Sequence, residues 1–410
     1  MTDDKAKRVK GKLQQSKSKL DTLLHITNAI NDNSSEERLF TILKSVITDN
    51  LNIAKLALFT FDSREWKISL TEGIEKIECE AIEIFNLVES FTDIGTISHN
   101  NSNQCLRQFE IAIPVFHKDH PLAFMLLADI EDEKMEVSPI IKNLRFIQTL
   151  VNIIVVALEN KRLYKQEIKQ AAVNKELELA RTMQTLLFPK TLPNTNTLKV
   201  HAAYLPHSEV GGDYYDVIPL SNGRTAICIA DVSGKGISAA LLMANFQANL
   251  RAHIQIAENL TELVELCNQK IIESANFEKF ITLFICIYNP KIKEISYVNC
   301  GHQPPLILKE ESHHYLNTGS TILGMFPNLP SLKVGKISID KEDRLVCYTD
   351  GLTEITDYKG NQLAAEGVAN LLIGTSGLNE IFRKLNQLVE KSKGEDGLSD
   401  DITFLAAQFL

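Results

Sequence analysis

Glu209-Val210-Gly211-Gly212-Asp213-Tyr214-Tyr215-Asp216 and Ala230-Asp231-Val232-Ser233-Gly234-Lys235-Gly236 decide how the C-terminal half of this chain folds. Between them, Thr225-Ala-Ile-Cys-Ile-Ala230 is a short apolar, partly β-branched run bounded by Gly223 and a Gly-rich turn, which predicts a buried strand. That strand delivers Asp231 at its C-terminal end, where a turn begins. Asp213 sits in a Gly-Gly-Asp turn, where missing side chains let the backbone approach a ligand. Carboxylates on paired turns, with almost no base nearby, point to a hard divalent cation with oxygen ligands. For either motif alone, an Asx turn at a strand end is the competing reading.

The pattern recurs. Arg344-Leu-Val-Cys-Tyr-Thr349 is another apolar strand that runs into Asp350-Gly351-Leu-Thr-Glu354, and Ser399-Asp400-Asp401 opens a last strand, Ile402-Thr-Phe-Leu-Ala406. With these strands in antiparallel pairs, Asp213, Asp231, Asp350 and Asp400 are expected to converge on one sheet edge. Four convergent carboxylates repel one another unless cations neutralise them. Two metal ions a few Å apart would do so, and phosphoester hydrolysis is a common use of such a pair.

These motifs, with Asp231-Val-Ser-Gly-Lys-Gly-Ile-Ser-Ala-Ala-Leu-Leu-Met-Ala244, Asn299-Cys-Gly-His-Gln-Pro-Pro305, Tyr348-Thr-Asp-Gly-Leu-Thr-Glu354 and Asp400-Asp-Ile-Thr403, stand in the order seen in the SpoIIE/RsbU-type phosphatases. Those are bacterial members of the PP2C (PPM) serine/threonine protein phosphatases, and the resemblance covers about residues 176 to 410. It implies a β-sandwich flanked by helices. It also implies a water activated by two Mn²⁺ or Mg²⁺ ions that attacks a phosphoserine or phosphothreonine without a phosphoenzyme. By resemblance, Asp231 bridges both metals and the Val232 carbonyl touches one, Asp213 holds the second metal, and Asp350 and Asp400 hold the first. Asp216 and Asp401 are expected to support or cap, His302 to be a turn histidine, and Glu354 to cap or orient the loop after Asp350. Ala230 and Lys235 depart from the family's Gly and His; Lys235 either approaches a phosphate oxygen or faces solvent. The implied substrate is a phosphorylated STAS-type anti-sigma-factor antagonist in a partner-switching pathway. A catalytically weak phosphoprotein-binding scaffold of the same fold is the alternative.

The formal charge of −9 argues against nucleic acid as the main partner. Seven cysteines without a CxxC pair suit reduced thiols. No apolar leader follows the Lys-rich start, and Leu150 to Leu158 is too short to span a bilayer, so a cytoplasmic protein with no membrane span is expected.

Upstream, a basic segment (1–19) is expected to be solvated and frayed. Leu20 to Ile30 has helical periodicity, Ser34-Ser-Glu-Glu caps a second helix to about Leu51, and Ala54 to Phe61 and Trp66 to Leu70 alternate as strands around an Asp62-Ser63 turn. A second strand pair, Phe109 to Phe116 and Leu122 to Leu127, precedes a long helix from about Ser138. This order resembles a GAF-type α/β sensor domain (20–160), either a small-molecule sensor or a ligand-free interaction module; Cys79, Cys105, His99 and His117 form no metal or haem pair. Leu150, Ile154, Ala157, Tyr164, Ile168 and Ala171 keep a seven-residue repeat broken at Lys161, and the pattern then shifts register towards Val173, Leu177, Ala180 and Leu187. That predicts a coiled-coil linker (161–190) and a homodimer; a surface helix lying on its own domain is the competing reading. Glu176 to Pro193 resembles the entry helix of the same phosphatases, with Pro189 ending it before a PP2C-like domain (191–410). The expected class is α+β throughout.

Overall fold

The computed structural model describes residues 2–62, 65–76, 82, 84–98, 103–118, 120–129, 138–310, 312–356, 361–392 and 398–410. Cys79, Ser63 and His99 lie outside the described residues. The chain divides into two compact units, Met1–Ala171 and Ala172–Leu410.

In the first unit, strands β1 (Lys55–Asp62), β2 (Glu65–Glu72), β3 (Gly95–Thr96), β4 (Ile111–His117) and β5 (His120–Ala128) form one antiparallel sheet in the order β2-β1-β5-β4-β3. Alternation splits each strand between two cores. Leu56, Leu58, Ile113, Met125 and Leu127 meet Ile26, Leu39, Leu43, Ile147, Leu150 and Ile154 from the helices on one side. Ala57, Phe59, Ala112, Phe124 and Leu126 meet Ile84, Leu87, Leu106 and Phe109 on the other. Ser35 caps the helix Glu36–Ser45 by accepting from the Arg38 N–H.

Two expectations change here. The helix that was to begin near Leu20 runs over Thr2–Asn31, because the Lys, Gln and Ala residues before Leu20 are good helix formers. Leu150 and Ile154 are buried in their own unit's core, so the start of the seven-residue repeat packs on the sheet, and past it the first exposed large apolar residue is Leu163. The helix Pro139–Thr185 holds a window of 18 residues with mean hydropathy 1.5, long and apolar enough to cross a membrane by composition, and 39% of that window is buried inside the protein.

The second unit is a sandwich of two sheets. One holds β7 (Tyr214–Pro219), β8 (Thr225–Val232), β9 (Ile281–Asn289), β10 (Glu294–Cys300), β13 (Gly319–Ser320) and β14 (Gly335–Ser338), in the order β13-β10-β9-β8-β7 with β14 also on β10. The other holds β6 (Leu198–Leu205), β11 (Leu306–Leu308), β12 (His313–Tyr315), β15 (Arg344–Tyr348) and β16 (Ile402–Phe409), in the order β12-β11-β15-β16-β6. Leu345, Cys347, Leu405 and Ala407 share one core with Ile227, Ile229 and Ile285 of the facing sheet. The helices Ile237–His253 and Leu260–Ala275 cover the first sheet through Met243, Phe246 and Val264, and Ala364–Leu372 and Leu378–Ser392 cover the second through Val368 and Leu385.

Candidate functional site

The acids gather at one end of the sandwich, but from two sheets and not one edge. β7 and β8 pair with Tyr214 opposite Ala230, which sets Asp213 just before one strand beside Asp231 near the end of the other. β15 and β16 pair with Tyr348 opposite Phe404, which places Asp350 and Asp400 just beyond the corresponding ends of the second sheet. The expectation of one sheet edge fails because β8 and β15 belong to different sheets, whose stacking does the joining.

Close backbone approach holds the loops together. A Cβ on Gly211 would lie 2.0 Å from Asp401 Oδ2 and 2.3 Å from the Tyr204 hydroxyl. One on Gly212 would lie 2.8 Å from the Val232 carbonyl oxygen, and one on Gly351 2.1 Å from the Asp401 carbonyl oxygen. Gly212 and Gly351, which face backbone oxygens, are therefore steric necessities, and at Gly211 the Asp401 and Tyr204 side chains would have to give way. Asp401 ties the loops with both oxygens: Oδ2 accepts from the Gly212 N–H and Oδ1 from the His207 N–H, each at 2.8 Å.

Asp213 is 1% exposed and accepts from two hydroxyls of the facing sheet, Thr349 Oγ1 at 2.8 Å and Thr403 Oγ1 at 2.6 Å. Burial first, then the Asp231 carboxyl, hold it well above the ordinary aspartate range, against those two hydrogen bonds. Burial pushes Asp231 up to about 7, with Asp350, Asp400 and Asp401 adding repulsion. Asp350 rises through burial and Asp400, and Glu354 through burial, Asp350 and Asp400. Glu354 is thus a further carboxyl beside Asp350 and Asp400 and not only a cap. The cation among them is Lys235, 2.9 Å from Asp400 Oδ2.

Crowded, partly protonated aspartates with oxygen-only donors fit a hard divalent cation, which would relieve their mutual repulsion. Among the described residues, no three His, Cys, Asp or Glu side chains are already closed around a point as a bound ion needs.

Asp216 is not part of this group. It is fully buried, forks Arg251 through Nε at 2.7 Å and Nη2 at 2.8 Å, and also takes the Val217 N–H and the Tyr214 hydroxyl. Two residues along a strand point the same way, so Asp216 follows Tyr214 to the face under the helix Ile237–His253 and away from Asp213. His302 is buried and held neutral, its pKa lowered to about 4 by burial. Its N–H bonds Asn299 Oδ1 as a turn histidine would, and its ring meets Thr282 Oγ1 at 2.8 Å, on the residue paired with Asp231. Sequence reasoning missed Thr349, Thr403 and Thr282, although the first two lie inside the quoted motifs. It also missed Gln184, whose amide donates to the Gly211 carbonyl at 2.7 Å and whose oxygen accepts from the Gly211 N–H at 3.3 Å.

Residues 221–410 match the family described as Stage II sporulation protein E (SpoIIE). Asp231, Asp350 and Asp400 fall inside the match and Asp213 just before it. Protein IcfG of Synechocystis sp. is 29% identical over 279 residues, 60% of this chain and 43% of that protein. Phosphoserine phosphatase RsbU of Bacillus subtilis is 26% identical over 193 residues, 47% of this chain and 57% of that protein. The chain thus spans about half the length of these relatives. In fold, the SiaA-PP2C domain of Pseudomonas aeruginosa superposes with a TM-score of 0.52 at 16% identity, over 59% of this chain and 99% of that one.

Proposed function

We propose, from the match of residues 221–410 to the SpoIIE family, that the chain is a metal-dependent phosphoserine/phosphothreonine protein phosphatase. The observation that carries this reading is the meeting of Asp213, Asp231, Asp350 and Asp400 at one end of the sandwich. Covalent catalysis by cysteine lacks a nucleophile there: burial pushes the Cys228, Cys286 and Cys347 thiols upward, so none is a thiolate.

Two Mn²⁺ or Mg²⁺ ions suit the donors. Asp231 would hold both, the Val232 carbonyl one of them, Asp213 the second, and Asp350 and Asp400 the first. When bound, such ions supply the Lewis acidity that activates water for in-line attack on phosphorus. The chain's own contribution is positional. Thr349 and Thr403 fix one Asp213 oxygen, and Asp401 fixes the Gly212 and His207 amides.

In this reading the substrate is a phosphorylated STAS-type anti-sigma-factor antagonist. Residues 20–160 are a GAF-like sensor with a small-molecule or protein signal, 161–190 a coiled-coil linker that joins two copies, and 191–410 the catalytic domain of a cytoplasmic protein. Two helices, an antiparallel sheet and an exit helix in the first unit support the sensor assignment. The scaffold alternative draws on the carboxylates not being closed into a cage and on Lys235 holding Asp400.

Hydrolysis of a phosphoserine protein by the full-length chain, with and without Mn²⁺, separates the two. Turnover should require Mn²⁺ and fall at least about a hundredfold in Asp231→Asn while the circular dichroism spectrum stays unchanged. Turnover retained in Asp231→Asn would remove the site assignment. Binding of the phosphoprotein without turnover would favour the scaffold.

A further inference from the structure

Lys235 stands on a Gly-Lys-Gly arch. Gly234 at φ 89° and Gly236 at φ 73° both occupy the left-handed region that favours glycine. The arch turns the Lys235 ammonium back over the acids, 2.9 Å from Asp400 Oδ2 and 2.9 Å from the Ser399 carbonyl oxygen, to which it donates. Its charge also reaches Asp350 and Glu354, opposing the rise of both. Neighbouring cations are engaged elsewhere: Lys279 donates to the Ser233 carbonyl oxygen, and Arg251 is paired with Asp216.

We propose that Lys235 is a built-in competitor for the metal ion at Asp400. An ammonium and a hard divalent cation seek the same carboxylate oxygen, and both cannot hold Asp400 Oδ2 at contact distance. A metal entering on the Asp350–Asp400 side must therefore displace the ammonium. The flanking glycines give the backbone the freedom to release it. The contacts of the ammonium are to Asp400 and to the Ser399 carbonyl oxygen, so the competition falls on that half of the site. The protein then binds its two ions unequally, and occupancy of the weaker half follows the free metal concentration. This inference rests on the metal-dependent reading above and adds to it the residue that sets the affinity.

The test needs no substrate. Mn²⁺ is titrated into the full-length protein, free Mn²⁺ is read by electron paramagnetic resonance, and Lys235→Met is compared with wild type and with Lys279→Met. Lys235 is exposed, so the methionine keeps chain length without entering the core. Lys235→Met should bind its weaker ion about tenfold more tightly or better, with the number of ions unchanged, while Lys279→Met binds as wild type does. Equal or weaker affinity in Lys235→Met would overturn the proposal. So would an equal gain in Lys279→Met, because the effect would then belong to general charge and not to contact with Asp400. Absence of Mn²⁺ binding in all three proteins, each folded by circular dichroism, would overturn the metal reading itself and this inference with it.

Discussion

At the scale of single residues, the acids and His302 make opposite demands on pH. Asp231 is raised to about 7 by burial and by Asp350 and Asp400, against about 4 in an unfolded chain. The folded state holds that proton more tightly, so the stability it contributes is full below about pH 4 and is lost as pH rises through 7. Asp213 shifts in the same direction. His302 is lowered to about 4 from an ordinary value near 6.5, so its contribution is lost as pH falls through that interval. Between about pH 4 and 6.5 the two oppose each other, and wild type hides both. Replacing Asp231 by Asn removes one side of the balance. In chelator, Asp231→Asn should gain stability over wild type as pH rises from 5 to 7, by on the order of 2 kcal/mol. Thermal melts of both proteins across that interval measure the difference. A constant difference would mean that Asp231 does not titrate there.

At the scale of elements, the end of the helix Pro139–Thr185 is bound to the loop before Asp213 through Gln184, with Arg181 also 3.7 Å from Glu209. Gln184 is buried, and its amide closes two hydrogen bonds on the Gly211 backbone, two residues before Asp213. Gln184→Ala leaves the Gly211 carbonyl unpaired, a loss of about 1–3 kcal/mol. It also frees a loop that has to place Asp213 beside Asp231, so turnover should fall about tenfold, with the loss in kcat. Melting and steady-state kinetics check both, and unchanged kcat in a destabilised variant would confine Gln184 to folding. The strands around this loop were legible because period and punctuation agree with burial: β8, β15 and β16 lie within a few residues of expectation. Which sheet each strand joins was not legible, since an apolar run does not reveal its neighbour, and the four acids were expected on one edge. Asp216 misled for a related reason. Nearness in sequence to Asp213 says nothing of the face it points to until the strand's alternation is set, and its partner Arg251 comes from a helix 35 residues on. The end of the exit helix was expected at Pro189, yet it closes at Thr185, with the Leu186 and Leu187 N–H groups bonded three residues back.

At the scale of the whole molecule, the exit helix is one unbroken element that begins inside the first unit and ends in the second. Its first turns are spent on a core, through Ile147, Leu150, Val151 and Ile154. Beyond them Leu163, Tyr164, Ile168, Val173, Leu179 and Met183 are each between 43% and 64% exposed. Of these, Tyr164, Ile168, Leu179 and Met183 fall on one face of the helix over about 30 Å, more apolar surface than scattered exposed residues explain. The spacing from Tyr164 to Ile168 continues the heptad seam, and the shift near Val173 is what a stutter would produce. In the dimer proposed above, a second copy of the same helix would satisfy both registers at once, because identical stripes would face each other in a parallel pair. Ile168→Asp puts a charge in the middle of that seam and should weaken the dimer by well over about tenfold. Multi-angle light scattering of the full-length protein across a concentration series reads this directly, with wild type at twice the mass of the variant. If the linker also carries a signal, the monomeric variant should differ from wild type in phosphatase rate, while a chain cut to residues 172–410 should be indifferent to anything bound by the first unit. Wild type found monomeric at every concentration would leave the stripe to some other partner and remove the pairing of sensors as the route to the active site.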